Sequence, residues 1–238
     1  MRTLLIICTL IFTSGAMAQS PLLSRTFNEA TAFAGRGEFE KAAKGYKTSL
    51  MIASDEDMPT SYLGKIHYNL GVCSYRLRKP AEASIEFDRA IKLSDRKYQR
   101  AFYGLGMARM EQKDWPAARH AFLEALKQNG SDGETWFDLA IVYLAEQDYE
   151  NAGHAFRQSI VNKSVDAALG HNNIGVIMAM KSDLVSAEKE FEAALIRSGG
   201  RLVEARRNLE FCRALSIKRT GLIGKVNFSL VARPEYVL

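Results

Sequence analysis

Histidine and cysteine are the residues of this chain best equipped for general-base, nucleophilic or metal chemistry, and it has four of the first and three of the second. Their spacing supports none of these roles. His67 and His171 fall at matching places in an internal repeat, where a packing role is expected. His120 and His154 share one place in adjacent units, and a pair alone is short of the three or four ligands a metal site needs. Cys73 and Cys212 lie four repeats apart. Each repeat adds two helix layers at roughly 8–10 Å, whereas the Cα atoms of a disulfide lie within about 7 Å. Both are therefore expected to be small buried hydrophobes. The chain has no H-E-x-x-H, no phosphate-binding glycine loop and no nucleophile elbow. Gly199-Gly200 reads as a helix-ending turn. The expectation is a non-enzyme with no catalytic residue, no metal and no cofactor.

What must position side chains here is a repeat. Ala-x-x-x-aromatic occurs as Ala42 and Tyr46, Ala83 and Phe87, Ala118 and Phe122, Ala152 and Phe156, and Ala187 and Phe191. Successive alanines are 41, 35, 34 and 35 residues apart. A period near 34 is the mark of a helical solenoid, whose units bury their apolar faces only against neighbours. Within each half-unit apolar residues recur at helical spacing, as in Leu139-Val142-Tyr143. Turn signals separate the halves at Gly37-Glu38, Lys113-Asp114, Gln147-Asp148 and Ser182-Asp183. Pro80 and Pro116 suit the first turn of a helix, where a missing N–H does little harm. Small residues in Leu-Gly and Ala-x-x-x-Phe let two helices cross closely beside large neighbours.

These residues resemble the tetratricopeptide repeat, with its W-x₂-L-G-x₂-Y…A-x₃-F…P pattern. The fourth unit matches through Trp136, Leu139, Ala140, Tyr143, Ala152 and Phe156; Phe102-Leu105-Gly106, Leu70-Gly71 and Ile174-Gly175 carry the pattern in the third, second and fifth. The first unit is weakest, with Ala30 and Phe33. The resemblance implies an all-α, TPR-like α-α superhelical solenoid of about five repeats plus a C-terminal capping helix. Units are expected near 23–56, 64–97, 99–132, 133–166 and 168–201, within a solenoid over 19–216 whose cap is 202–216. The family proline is missing from all five units, where Ser54, Asp95, Gly130, Ser164 and Gly199 stand. The 41-residue interval implies a longer loop or longer helices around Ser54–Pro59.

In such solenoids the first helix of each unit lines the concave face. The resemblance places Tyr68, Val72, Tyr75, Tyr103, Met107, Met110, Phe137 and Ile141 in that groove. Its apolar, aromatic lining suits a protein or peptide partner, and self-packing of the same residues is the alternative. The carboxylate clamp of some co-chaperones is absent, because its Lys and Asn positions hold Tyr68 and Val72, Tyr103 and Met107, and Phe137 and Ile141. Asn69 and Asn173, which precede Leu-Gly and Ile-Gly, are assigned to helix packing.

The two ends differ from the array. Residues 1–18 read as a signal peptide: Arg2, the apolar run Leu4–Phe12, and Ala16-Met17-Ala18 before a cleavage point at Gln19. Cys8 sits inside that run rather than at a lipidation site. The expected location is therefore export to a periplasm or cell envelope. The sequons Asn129-Gly130-Ser131, Asn162-Lys163-Ser164 and Asn227-Phe228-Ser229 would matter only in a eukaryote. Net charge is +5. All of it is carried between Arg197 and Lys225, where eight basic residues face two acidic ones and the rest of the chain is slightly negative. Arg206, Arg207, Arg213, Lys218 and Arg219 form a basic patch, read either as the polar outside of a cap or as a surface for an anionic membrane or polyanion. Nucleic acid is disfavoured by export and by the lack of interleaved aromatics. The tail 217–238 leaves the repeat. Its partly alternating Val226–Val231 suits an extended segment that pairs with a partner or fills a groove, or else a frayed terminus.

The leading expectation is an interaction scaffold similar to exported TPR proteins that help assemble envelope complexes. The alternative is a peripheral membrane or polyanion binder acting through the basic cap. Oligomeric state is not encoded in any of these features.

Overall fold

The computed structural model describes residues 20–163, 167–217 and 228–231. The signal-peptide expectation, Lys218, Arg219 and most of the tail lie outside them. The described residues form eleven α-helices and no strands. Five antiparallel pairs follow one another: α1 (Pro21–Gly35) with α2 (Phe39–Asp55), α3 (Thr60–Arg76) with α4 (Pro80–Leu93), α5 (Gln99–Glu111) with α6 (Trp115–Gln128), α7 (Gly133–Ala145) with α8 (Tyr149–Val161), and α9 (Ala167–Met180) with α10 (Leu184–Arg197). A last helix, α11 (Val203–Ile217), packs on α10 and α9. Each helix packs chiefly on its neighbours in sequence, which makes the fold an all-α solenoid.

The pairing rests on one device. Phe87, Phe122, Phe156 and Phe191 of the second helices are fully buried. Gly71, Gly106 and Gly175 of the first helices lie against the first, second and fourth of these rings. A Cβ added there would stand 2.7, 2.5 and 2.7 Å from the ring. In the fourth pair Ala140 takes the glycine's place, and Phe156 packs edge-on to Phe137 at 5.2 Å.

Turns inside the pairs are three residues long, and their middle residues Gly37, Arg78, Lys113, Gln147 and Ser182 all have φ between 58° and 78°. Four of these are not glycine, so the left-handed turn is imposed by the packing of the helices it joins. The following helix is capped by an aspartate where the sequence supplies one: Asp114, Asp148 and Asp183 accept from the N–H of Ala117, Asn151 and Ser186. The extra residues between the first two units lengthen helices rather than a loop. Both α2 and α3 have 17 residues, against 13 or 14 in α4 to α10.

Candidate functional site

Asparagine is a poor residue for a helix interior because its amide competes with the main chain. Yet Asn172 and Asn173 of α9 and Asn208 of α11 sit mid-helix and are at most 3% exposed. Their partners explain this. The Asn173 amide donates to the Val231 carbonyl at 2.8 Å, and the Val231 N–H donates back to Asn173 Oδ1 at 2.8 Å. Asn208 pairs identically with Ser229, at 2.9 Å in both directions. Asn172 lies between them. It donates to the Ser229 carbonyl at 3.0 Å and to Asn173 Oδ1 at 3.1 Å, and accepts from Asn208 at 2.9 Å. The three amides form one satisfied network, which a buried polar cluster needs in order to be stabilising.

The bound segment is the chain's own Phe228–Val231. Alternate residues turn their main chain to the asparagines, which is the period of an extended strand. Phe228 stacks on Phe191 at 5.9 Å and meets Phe211 edge-on at 5.4 Å. Val231 packs against the cluster holding Phe137, Leu169 and Ile177. Leu230 points away and is 45% exposed. The segment is thus held by amides at its backbone and by apolar contacts at two of its side chains.

Asn173 and Asn208 occupy one slot of the repeat, directly before Ile174-Gly175 and Leu209-Glu210. The same slot holds Asn28, Asn69, Gly104 and Asp138, at intervals of 41, 35, 34, 35 and 35 residues along the series. Asn28 is exposed and Asn69 half-buried, and neither side chain has a hydrogen bond among the described residues. Asp138 is 4% exposed and accepts from the Tyr103 hydroxyl at 2.9 Å.

The eight groove residues expected from sequence are distributed differently. Phe137 is completely buried and Met107 is 8% exposed, so both are core rather than free groove lining. Tyr68 lies 5.8 Å from Phe87 and 5.0 Å from Tyr98, and burial pushes its phenol above the ordinary range. Val72 and Tyr75 pack beside Phe87; Tyr75, Tyr103 and Met110 pack with Met107 and Phe122. Burial, then the Glu111 carboxylate, raises the Tyr75 phenol strongly. Ile141 joins the cluster under Val231. These side chains pack chiefly in the clusters between helices, while the groups that hold Phe228–Val231 are Asn172, Asn173 and Asn208. Asn173 is therefore a gripping residue and not the packing residue expected. Its recurrence before Leu-Gly and Ile-Gly, against helix propensity, was the available signal.

The basic patch is only partly assembled. Arg213 is clasped by Glu188 and Glu192 of α10, at 2.6 Å each, and Arg206 caps the Gly200 carbonyl. Arg207 is exposed. The cap thus uses two of its arginines to fasten α11 to what precedes it.

Other polar groups are braces. His67 binds Glu86 at 2.6 Å and His171 binds Glu190 at 2.7 Å, each linking the two helices of a pair. Burial opposes ionisation of Glu86, but the His67 hydrogen bond and the charges of His67, Arg89 and Lys47 outweigh it and lower its pKa. Cys73 and Cys212 are buried and unpaired; burial pushes the Cys73 thiol up to about 11, which keeps it unreactive. A cleft of about 500 Å³ between α2, α3 and α4 sets Lys44, Lys47, Lys79 and Arg89 among Glu40, Glu82 and Glu86, so its charges offset one another. Among the described residues no cluster of His, Cys, Asp or Glu could hold a metal, and no helix is long and apolar enough to cross a membrane.

Comparison with known proteins agrees with the fold. A tetratricopeptide-repeat family model matches residues 103–167. Superkiller protein 3 of Saccharomyces cerevisiae is 26% identical over 145 residues, covering 56% of this chain and 10% of that protein. The chain thus spans about a tenth of the curated relative it matches. MamA 41-end from Desulfovibrio magneticus RS-1 superposes with a TM-score of 0.69 at 17% identity, over 78% of this chain and 99% of that one. YrrB, described as a TPR protein with an unusual peptide-binding site, gives 0.65 at 20% identity over 78% and 90%. A tetratricopeptide repeat protein from Parabacteroides merdae ATCC 43184 gives 0.67 at 20% over 82% and 75%. At these identities the likeness is one of fold.

Proposed function

Because the chain is a tetratricopeptide-repeat protein, we propose that it is an interaction scaffold that holds an extended peptide segment of a protein partner along its concave face. One observation carries the proposal: Asn173 and Asn208, one repeat apart, each make a two-point pair with the main chain of an extended segment. Main-chain pairing supplies affinity and the pockets around Phe228 and Val231 supply selectivity, the same division used when a peptide adds to a sheet edge. No catalytic chemistry is assigned. Peptide binding by a protein of like fold supports the class of ligand.

We place the scaffold in a cell envelope, on the strength of Arg2, the apolar run Leu4–Phe12 and Ala16-Met17-Ala18. Binding of an anionic surface through the cap has weaker support, since Arg213 and Arg206 are already engaged.

Selection of random displayed peptides on the full chain tests the groove. Recovered peptides should share an aromatic residue followed by an aliphatic one. Their binding should fall at least tenfold with Asn173→Ala/Asn208→Ala. Binding indifferent to both substitutions would remove the groove from the function.

A further inference from the structure

We infer that Phe228–Val231 is a resident occupant that an external segment must displace, and that it spells that segment's chemistry: an aromatic residue, then an aliphatic one three positions later, with the main chain of the second and fourth residues offered to Asn208 and Asn173. This rests on the groove function proposed above and adds to it the partner's pattern and a closed resting state.

Four observations lead there. First, the asparagines touch Ser229 and Val231 only through main-chain N–H and C=O. Any residue but proline offers the same atoms, so nothing in the grip is reserved for this tail. Second, selectivity lies in two pockets. Phe228 meets Phe191 and Phe211, and Val231 meets the Phe137–Leu169–Ile177 cluster, while Leu230 is largely free. An external segment needs only the first and fourth side chains. Third, the seat is filled in the structure: besides their mutual bonds, Asn172, Asn173 and Asn208 make five hydrogen bonds to Ser229 and Val231. Only ten residues, 218–227, separate α11 from Phe228 in the sequence, so filling of the seat is intramolecular and does not depend on protein concentration. The seat is therefore filled at rest. Fourth, the same slot recurs, beyond Asp138 and Gly104, at Asn69 and Asn28, whose amides carry no hydrogen bond among the described residues. A longer external segment gains contacts there that Phe228–Val231 does not make, which gives it the means to win.

Apparent affinity falls by the fraction of molecules whose seat is open, so a tail docked nine-tenths of the time weakens an outside ligand about tenfold. The probe is a fluorescein-labelled peptide with the sequence of residues 226–233, and the readout is anisotropy with the full chain. Phe228→Asp/Val231→Asp evicts the resident segment without touching the solenoid. This variant should bind the probe at least tenfold more tightly than the unaltered chain, and adding Asn173→Ala/Asn208→Ala should abolish the gain. Equal affinity of the unaltered chain and the evicted variant, both sensitive to the asparagines, would overturn the resident-occupant inference and leave the groove function standing. Binding insensitive to the asparagines would overturn the groove function as well. A second measurement does not depend on the variant. Saturating unlabelled probe should speed amide exchange of Ser229 and Val231 in the isotope-labelled unaltered chain, and unchanged exchange would overturn the inference.

Discussion

A buried carboxamide carries two donors and two acceptor sites, and its value depends on filling them. Asn173 shows how narrow the fit is. Replacing it by Asp keeps an acceptor for the Val231 N–H but sets a carboxylate oxygen against the Val231 carbonyl, in a place that is 0% exposed. Asn173→Asp should therefore release the segment at least as completely as Asn173→Ala, seen as loss of amide protection at Val231. A variant that keeps that protection would contradict the two-point pairing. Packing is equally exacting at Gly106, where an added Cβ would stand 2.5 Å from the Phe122 ring. Gly106→Ala should cost about 1–3 kcal/mol by overpacking, measured as a lower denaturant midpoint.

At the scale of the helix, stability is gathered at turns and caps. Asp148 accepts from the Asn151 N–H at 3.1 Å and from its amide at 2.7 Å. These bonds, the side-chain one foremost, hold its pKa below the ordinary aspartate value. As pH falls the unfolded chain takes up its proton first. The cap's contribution is thus full above the unfolded value near 4 and is lost as pH drops through the lower folded value. Asp148→Ala should cost up to about 1 kcal/mol at neutral pH and less at pH 2, by chemical unfolding at both. A loss of equal size at pH 2 would contradict the cap. The helical repeat was legible because its demand is local: a small residue in one helix and a ring in the next, some 16 residues on in Gly71–Phe87, Gly106–Phe122 and Gly175–Phe191. The gripping asparagines were not, because Asn173 and Val231 are 58 residues apart. No spacing rule ties such a pair. For the residues expected to line the groove, the sequence left self-packing open, since periodicity tells which face Phe137 is on and not whether a later segment covers it.

On the scale of the whole molecule, the solenoid holds its segment with neutral amides and apolar contacts. Ligand affinity should then change by less than about threefold between 50 and 500 mM salt, because screening acts on charges. A steep decline would shift binding to cationic residues such as Arg207. Export, inferred from residues 1–18, predicts that the protein recovered from its source begins at Gln19 by intact mass, and a mature chain beginning at Met1 would contradict it.

The most direct test of the central claim, that the asparagine slot holds an extended main chain, is residue-resolved amide hydrogen exchange over 228–231 in the full chain. The Ser229 and Val231 N–H groups donate to Asn208 and Asn173, and the Leu230 N–H has no acceptor among the described residues. Exchange should be slow at Ser229 and Val231 and fast at Leu230, and this alternation should be lost in Asn173→Ala/Asn208→Ala. Uniformly fast exchange across the segment would contradict the claim.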